Sequence, residues 1–218
     1  MSVLLAVFDC DGTLVDGQAS ICQAMEKAFG EFGLSPPERN EIRRAVGLSL
    51  PQAMRRLLPD APGETHQALA ESYKLAFRAA RTAGELSQPL FAGIVELLDR
   101  LRAGGWTLGV ATGMSDRGLA HCLATNAIAD RFVTLQTADR HPSKPHPAML
   151  ETALFEAAAD PGQAVMIGDT AFDMQMASDA GVRAIGVDWG YHHPQELLAA
   201  GAEFVAETPA ELGEYLLQ

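Results

Sequence analysis

The feature that most constrains the fold lies near the start of the chain. An uninterrupted apolar run at residues 3–8 is followed at once by two carboxylates, Asp9 and Asp11, and a glycine. An apolar run without alternation is typical of a strand that is buried on both faces of a parallel sheet, and such sheets bind ligands at the carboxyl ends of their strands. Because residues two apart in an extended segment project to the same side, Asp9 and Asp11 are predicted to share one pocket. Since close carboxylates repel, the pair predicts either a hard metal ion or one carboxylate that keeps a proton for acid/base work.

The rest of the chain predicts an α/β architecture with one helical insertion. Residues 16–86 contain four stretches with apolar residues at helical spacing and no convincing strand. From residue 94 onward, short apolar runs alternate with helical stretches, which is typical of a doubly wound parallel sheet with helices on both faces. The first strand has no partner in the helical segment, so it must join that sheet. We therefore expect a core domain of residues 1–15 and 87–218, interrupted by a helical-bundle domain of residues 16–86.

The charge of the chain restricts its partners. The 218 residues carry a net charge of −12, which excludes a surface built to bind the phosphate backbone of nucleic acids. Residues 16–86 carry nine basic and nine acidic side chains, whereas the remainder carries seven and nineteen. An acidic body with a comparatively basic insertion suits a small anionic substrate, provided that a cation offsets the acidic pocket.

The apolar runs and the cysteines indicate the compartment. No run approaches the roughly 18 apolar residues that a membrane span needs. A signal peptide is not expected either, because a charged aspartate follows only a short apolar run. The three cysteines, Cys10, Cys22 and Cys122, have no metal-ligand spacing and are predicted to be reduced structural thiols. We therefore expect a cytoplasmic protein with no membrane partner.

Two further segments carry groups suited to binding phosphate. Thr112 and Gly113 follow an apolar run and would place a hydroxyl and backbone N–H groups at the sheet edge. The alternative is that Thr112 is only a helix N-cap. Lys144 lies in a proline-rich loop, which would present its ammonium from a rigid backbone as a counter-charge to phosphate. The alternative there is an ordinary exposed lysine.

A second acidic segment lies at residues 165–173. An apolar run ends at Asp169, and Asp173 falls near the first turn of the next helix, where negative charge is favoured. Helix capping explains one of these aspartates but not the acidic strand end. A Mg²⁺ ion explains both, together with Asp9 and Asp11, because it binds a few carboxylates and accepts phosphate oxygens. We expect the four acidic residues to converge around one divalent ion at one rim of the sheet.

The order of these segments identifies a family resemblance. The D-x-D-G-T motif of residues 9–13, Thr112, Lys144 and the G-D-x-x-x-D motif of residues 168–173 occur in the order found in the haloacid dehalogenase-like hydrolases. The chain resembles their phosphoglycolate phosphatase-like branch in particular. The resemblance spans the whole chain, since that branch inserts an α-helical cap between the first strand and the second motif. The two aspartate-containing motifs are the specific ones.

The resemblance implies a phosphatase that hydrolyses the phosphate monoester of a small metabolite. Asp9 would attack phosphorus to form an aspartyl-phosphate, and Asp11 would protonate the leaving group and then deprotonate the attacking water. Thr112 with Gly113, and Lys144, would bind the transferring phosphoryl group. These roles agree with what phosphoryl transfer requires, which is in-line positioning and neutralisation of the equatorial oxygens.

The resemblance also implies a Mg²⁺ cofactor. Its ligands would be Asp9, the backbone carbonyl of Asp11 and Asp169, and Asp173 would lie close by. A metal ion between Asp9 and the phosphate would suppress the repulsion between these two negative groups.

Two other functions stay open at this point. A sugar phosphomutase of the same superfamily would use the same aspartyl-phosphate, although such enzymes tend to carry an aliphatic residue where this chain has Thr13. A phospho-aspartate signalling or binding module would keep its phosphoryl group without turnover. Against that module stand Asp11 and the helical insertion, which supply what dephosphorylation needs.

The substrate is expected to be set by the helical insertion. Gly47 and Leu48 lie in a loop between two of its predicted helices, and Arg44 lies nearby. We expect this loop to contact the substrate and one of the nearby arginines, Arg43, Arg44 or Arg55, to meet a second anionic group on it, with Arg44 as the candidate site residue. Phosphoglycolate, a sugar phosphate, a nucleoside monophosphate and pyrophosphate are all compatible with these residues.

Overall fold

The computed structural model describes residues 3–218 and has one six-stranded parallel sheet at its centre. The strands are β1 (Leu4–Phe8), β2 (Trp106–Thr112), β3 (Thr134–Thr137), β4 (Ala164–Gly168), β5 (Arg183–Val187) and β6 (Phe204–Ala206). Their order across the sheet is β3-β2-β1-β4-β5-β6, so the direction of strand addition reverses beside β1 and β4. Ligands bind at such a switch point in open α/β sheets. The structure confirms the predicted doubly wound α/β fold.

The helices fall into two groups. Four follow β1 directly: α1 (Gln18–Glu31), α2 (Arg39–Arg43), α3 (Leu50–Leu57) and α4 (Gly63–Ala83). The others alternate with the strands of the sheet: α5 (Ile94–Ala103), α6 (Asp116–Thr125), α7 (Ala148–Ala157), α8 (Ala171–Asp179), α9 (Pro194–Ala199) and α10 (Pro209–Leu216). Within residues 3–218, none of the helices combines the length and the apolar character that a membrane crossing requires.

The central strand β1 fixes the position of the acidic segment that follows it. Its register aligns Phe8 with Val110 of β2 and with Ile167 of β4. The backbone N–H of Asp9 continues the ladder and donates to the carbonyl of Ile167 at 2.9 Å. The backbone of Asp9 is therefore held by the same hydrogen-bond network as the sheet.

Both faces of β1 are covered, as the apolar run predicts. Phe8 lies in an apolar cluster with Leu98 of α5, and Val7 lies in a second cluster on the other face with Met149 of α7. Each of these side chains is fully buried, which stabilises the fold by about 1.5–3 kcal/mol per side chain. Packing from both faces keeps the strand end rigid.

The helices α1–α4 pack around an apolar cluster of their own. Helix α1 contributes Met25 to this cluster and α4 contributes Leu69. A separate core is what an independent domain needs. It supports our proposal that residues 16–86 form a cap domain and that residues 1–15 and 87–218 form the core domain.

The chain enters and leaves the helical insertion at adjacent points. Val15 and Leu90 form an antiparallel bridge. The backbone N–H of Asp16 donates to the carbonyl of Pro89 at 2.8 Å, and that of Phe91 donates to the carbonyl of Leu14 at 3.0 Å. The segments that lead into and out of the insertion are therefore hydrogen-bonded to each other, just after the acidic segment.

Candidate active site

Asp9 follows β1 directly, and its side chain is buried. Its Oδ1 accepts a hydrogen bond from the backbone N–H of Cys10 at 2.6 Å and lies 2.9 Å from the Nζ of Lys144. Its Oδ2 is buried and has no hydrogen-bond partner among the described residues. Burial raises the pKa of Asp9 to about 6, against the opposing effect of the Lys144 charge. An unpaired carboxylate oxygen in a buried position marks a place where a cation or another electrophile fits.

Lys144 is the cation of the site, and its side chain is fully buried. Its Nζ donates to Oδ1 of Asp173 at 2.6 Å and lies 2.9 Å from Oδ1 of Asp9. Burial alone would lower the pKa of Lys144, but the charges of Asp173 and Asp9 together raise it above its ordinary value, so the ammonium stays charged. The alternative of an ordinary exposed lysine is wrong. The preceding residue, Ser143, accepts a hydrogen bond from the backbone N–H of Ser49 at 2.8 Å, which ties this loop to the helical insertion.

Asp169 follows β4, the neighbour of β1, so it lies at the same rim of the sheet. Its Oδ1 accepts a hydrogen bond from the hydroxyl of Thr13 and its Oδ2 accepts one from the backbone N–H of Tyr191, both at 2.9 Å. Burial, followed by the charges of Asp9 and Asp173, raises the pKa of Asp169 well above its ordinary value. A nearby cation would offset this repulsion.

Asp173 has two functions in the structure. Its Oδ2 accepts hydrogen bonds from the hydroxyl of Thr170 at 2.7 Å and from the backbone N–H of the same residue at 3.1 Å, which forms a capping box at the start of α8. Its Oδ1 is bound by Lys144. Helix capping therefore explains why residue 173 is an aspartate. It does not explain the aspartate at the strand end, Asp169.

Three of the carboxylates form a group that fits a metal ion. Asp9, Asp169 and Asp173 each place one oxygen within 4.8 Å of the other two. Lys144 supplies one positive charge against three negative ones, and carboxylate oxygens are the ligands that Mg²⁺ prefers. Among the described residues, Oδ2 of Asp9 has no hydrogen-bond partner, whereas both oxygens of Asp173 and both oxygens of Asp169 accept hydrogen bonds. Asp173 is also ion-paired with Lys144, and Asp169 is not. The residues therefore fit Mg²⁺, with Asp9 as the ligand that has a free oxygen.

The carboxylate of Asp11 is not part of this group, which corrects the expectation that four acidic side chains converge on one ion. Its Oδ1 accepts a hydrogen bond from Nε2 of Gln88 at 3.3 Å, beside the cavity under the helical insertion. The reason is a tight turn: the backbone N–H of Leu14 donates to the carbonyl of Cys10 at 2.9 Å, so the extended segment ends before Asp11. Desolvation, helped by the charge of Asp9, raises the pKa of Asp11 to about 7.

Thr112 and Gly113 lie at the end of β2, at the same edge of the sheet. They line a cavity of about 490 Å³ together with Asp9 and Asp11. The N-cap of α6 is Ser115, whose Oγ accepts a backbone N–H of the first turn at 3.1 Å. The interpretation of Thr112 as a helix N-cap is therefore wrong, and its hydroxyl is placed beside the acidic pocket.

The loop of the helical insertion touches the sheet edge. A Cβ added at Gly113 would lie 2.5 Å from the carbonyl oxygen of Leu48 and 2.7 Å from that of Gly47, so only glycine allows this approach. Gly47 has a φ of +92°, a conformation that also favours glycine. The structure thus brings Gly47 and Leu48 to the cavity, next to Gly113.

Arg44 departs from the expectation, since it does not line the cavity. Its guanidinium binds the carboxylate of Glu196 on α9 through both terminal nitrogens, with Nη1 3.1 Å from Oε2. These hydrogen bonds, more than any other contact, lower the pKa of Glu196 to about 2. Both side chains belong to elements that meet only in the folded chain, so no pattern near Arg44 signals the pairing.

A segment that the sequence reasoning missed lies after β5. The backbone N–H of Tyr191 binds Asp169, and the indole N–H of Trp189 donates to the carbonyl of Thr13 at 3.0 Å. A Cβ added at Gly190 would lie 2.1 Å from Cβ of Asp169, which explains the glycine. The signal was present, since this aromatic and glycine-rich segment follows a buried strand as the other site segments do.

Comparisons with known proteins agree with this geometry. Residues 6–187 match the family described as haloacid dehalogenase-like hydrolase. A protein of Dickeya dadantii named "probable phosphatase IndB" is 34% identical over 211 residues, which cover 95% of this chain and 91% of the relative. A phosphoglycolate phosphatase of Vibrio vulnificus is 27% identical over 220 residues, which cover 99% of this chain and 96% of the relative.

Solved structures lead to the same assignment. A haloacid dehalogenase-like hydrolase from Streptococcus pneumoniae superposes with a TM-score of 0.86 at 26% identity and covers 98% of both chains. The predicted resemblance and the predicted hydrolase class are confirmed by these matches. This chain belongs to the haloacid dehalogenase-like hydrolase family.

Proposed function

We propose that the protein is a Mg²⁺-dependent phosphatase that hydrolyses the phosphate monoester of a small metabolite through an aspartyl-phosphate on Asp9. The observation that carries the proposal is the buried Oδ2 of Asp9, which has no donor within residues 3–218 although Lys144 holds the other oxygen. A carboxylate that is fixed through one oxygen and free at the other is an oriented nucleophile. Asp9 also lines the cavity that contains Asp11.

The reaction we propose has two steps on the same residue. Asp9 attacks phosphorus, and the bond from phosphorus to the ester oxygen breaks as Asp11 donates a proton to the leaving alkoxide. Asp11 then takes a proton from a water molecule, which attacks the aspartyl-phosphate, releases inorganic phosphate and regenerates Asp9. The pKa of Asp11, raised to about 7, suits a group that must both give and take a proton.

The transferring phosphoryl group is bound, in this proposal, by three donors at the sheet edge. The hydroxyl of Thr112 and the backbone N–H of Gly113 lie at the end of β2, and the ammonium of Lys144 lies beside Asp9. The donors are held by the sheet and by buried ion pairs, so they need little reorganisation when charge moves to the equatorial oxygens.

Mg²⁺ would be held by Asp9, the backbone carbonyl of Asp11 and Asp169, with Asp173 as a neighbour that anchors Lys144. When bound, the ion neutralises the phosphate and lets a carboxylate approach it. The group of three carboxylates with one unpaired oxygen supports this assignment. Relatives named phosphoglycolate phosphatase support a small phosphorylated substrate of this kind.

The test is phosphate release from a panel of monophosphates by the purified protein. We expect release with Mg²⁺, loss of release with EDTA and recovery when Mg²⁺ is restored. Mass spectrometry of acid-quenched enzyme is expected to find the phosphoryl group on the peptide that contains Asp9. Interconversion of sugar phosphates with little free phosphate would favour the phosphomutase, and a stoichiometric phosphoprotein without turnover would favour the signalling module.

A further inference from the structure

The cavity is large for the smallest of the compatible substrates. Its volume is about 490 Å³, and cavities of roughly 300–1,000 Å³ hold drug-sized ligands. Phosphoglycolate is a two-carbon acid that carries one phosphate, so it would fill only the part of the cavity near Asp9 and Asp11. The remaining volume lies against the helical insertion and is available to the leaving group of a larger ester.

The wall that the helical insertion contributes is mostly apolar. Its apolar members are Ile21, Met25, Ile42, Ala45, Val46, Leu48, Leu50, Pro51, Ala53 and Phe77, and Tyr73 adds a ring that carries a hydroxyl. Among the described residues of the insertion that line the cavity, none is an aspartate, glutamate, asparagine, glutamine or histidine. The polar side chains on this wall are Ser49, the hydroxyl of Tyr73 and the cations of α4, so a polyol would find few partners for its hydroxyls there, which costs binding free energy. The wall therefore suits an apolar leaving group better than a sugar.

Two aromatic residues belong to this wall. Tyr73 and Phe77 lie one turn apart on α4, and their rings stack with centroids 5.6 Å apart and an interplanar angle of 25°. Both side chains are half-buried and pack against the apolar cluster of the insertion on one side while they line the cavity on the other. A ring bound here would have an aromatic face to pack on.

Cationic side chains also reach the cavity and point to a different ligand. Lys74, Arg78 and Arg81 of α4 and Arg117 of α6 line it. Lys74, Arg78 and Arg117 are solvent-exposed, whereas Arg81 is half-buried like Tyr73 and Phe77. Exposed charges are screened by water and salt, so these three contribute less to the binding of a second anion than burial of a ring contributes. The contribution of Arg81 is tested by the anionic ester phosphoglycolate.

We propose that the substrate is a phosphomonoester whose leaving group carries an apolar ring, and that Tyr73 and Phe77 are the residues that select it. This inference rests on the proposed phosphatase function. It narrows the substrate to a chemical class that the motifs at the sheet edge do not specify, because those motifs contact only the phosphoryl group.

The test compares two esters that differ only in the ring. Ethyl phosphate and 2-phenylethyl phosphate both release a primary alcohol of similar basicity, so the chemical step is matched. We expect kcat/KM of the wild-type protein to be at least about tenfold higher for 2-phenylethyl phosphate, since burial of a phenyl ring is worth that factor or more. Phosphoglycolate and glucose 6-phosphate complete the panel.

Variants on α4 test which side chain causes the preference for the ester that carries the ring. In Phe77→Ala the ratio of the two kcat/KM values is expected to fall by at least about threefold, because one of the two aromatic side chains is lost and Tyr73 stays. The control is Leu75→Ala on the same helix, whose side chain is 60% exposed and outside the cavity, and which is expected to keep the wild-type ratio. Phe77→Leu keeps the apolar volume and is expected to give an intermediate ratio if the alanine variant does not fold.

The outcomes separate this inference from the function on which it rests. A wild-type ratio near one, or a higher kcat/KM for phosphoglycolate or glucose 6-phosphate than for 2-phenylethyl phosphate, overturns the ring-bearing substrate and leaves the phosphatase intact. An unchanged ratio in Phe77→Ala overturns the role of that residue. Absence of phosphate release from every ester with Mg²⁺ refutes the phosphatase and this inference together.

Discussion

Two ion-paired regions of the molecule differ in how they are held. At the sheet edge, Lys144 lies between Asp9 and Asp173, and none of these side chains is more than 1% exposed. Between the core and the helical insertion, Arg44 pairs with Glu196, and both side chains are 33% exposed. Water does not reach the buried charges of the first region, so it cannot replace their ion-pair partners. It can replace them in the second region.

The difference shows how the molecule separates chemistry from substrate choice. Removing one partner of a buried ion pair leaves an uncompensated charge and costs about 3–5 kcal/mol, whereas an exposed pair contributes about 0–1 kcal/mol. The groups that we propose to carry phosphoryl transfer lie in the strongly held region. The helical insertion, which we propose to select the leaving group, meets the core in part through this weaker contact.

The largest effect is expected for Asp9→Asn. Removal of the nucleophile is expected to lower phosphate release by at least about 10⁴-fold, because the remaining groups bind and orient the ester but cannot form the covalent intermediate. Phosphate release from ethyl phosphate and mass spectrometry of the quenched enzyme measure the loss. Asp60→Asn, an exposed aspartate after α3, serves as the control with wild-type turnover. Near-wild-type turnover in Asp9→Asn would refute the mechanism.

Lys144→Met tests the strongly held region directly. The methionine removes the charge between Asp9 and Asp173, so we expect the free energy of unfolding to fall by about 3–5 kcal/mol and phosphate release to be lost. Urea denaturation followed by circular dichroism measures the change in stability. Lys27→Met, at an exposed lysine, is the matched control and is expected to stay within about 0.5 kcal/mol of wild type. Equal stability of the two variants would show that the buried network is not what holds this region.

Asp11→Asn tests whether the two aspartates of the first motif, Asp9 and Asp11, have different roles. Since Asp11 faces the cavity rather than the group of three carboxylates, its loss is expected to remove acid/base catalysis and to slow release from ethyl phosphate by about 10²–10⁴-fold. Release from p-nitrophenyl phosphate is expected to suffer less in the first step, because nitrophenolate leaves without a proton. Burst kinetics measure the two steps separately. Equal losses of the first step for both esters would assign Asp11 a structural role instead.

Much of the strongly held region could be predicted from the sequence. Asp9 and Asp169 each follow a buried strand of a parallel sheet and Thr112 ends another, and such strands bring their carboxyl ends to one rim. The apolar runs that mark these strands are local signals, so the rim and its groups follow from the pattern. The burial of Lys144 did not follow, because the run of prolines around it indicates only a rigid loop.

The weaker contacts between core and insertion could not be predicted in the same way. The partner of Arg44 lies 152 residues further along the chain, so this pairing depends on how separate elements meet, and neither partner carries a local signal. The turn at Cys10, which ends the extended segment before Asp11, is local and contains Gly12 at a φ of +87°. The last helix, α10, was missed although its N-cap Thr208 and the following proline are a recognised start signal.

The smallest effect is expected for Arg44→Ala, which tests the weaker region. The ion pair with Glu196 is partly exposed, so we expect the free energy of unfolding to fall by only about 0–1 kcal/mol. The pKa of Glu196 is lowered to about 2, so the ion pair stabilises the folded state at pH values above the ordinary pKa of the carboxyl group. This stabilisation is lost as the pH falls toward 2. The free energies of unfolding of Arg44→Ala, Glu196→Gln and the double variant, measured by urea denaturation at neutral pH, give the interaction energy between the two side chains.

The same variant decides between the structure and the sequence-based expectation for Arg44. Because the side chain does not line the cavity, Arg44→Ala is expected to change KM for phosphoglycolate and for ethyl phosphate by the same factor. A selective rise in KM for phosphoglycolate of more than about tenfold would mean that the guanidinium leaves Glu196 to bind the substrate carboxylate. The ion pair would then be a resting contact of a substrate-binding residue, and the weakly held region would belong to the binding site itself.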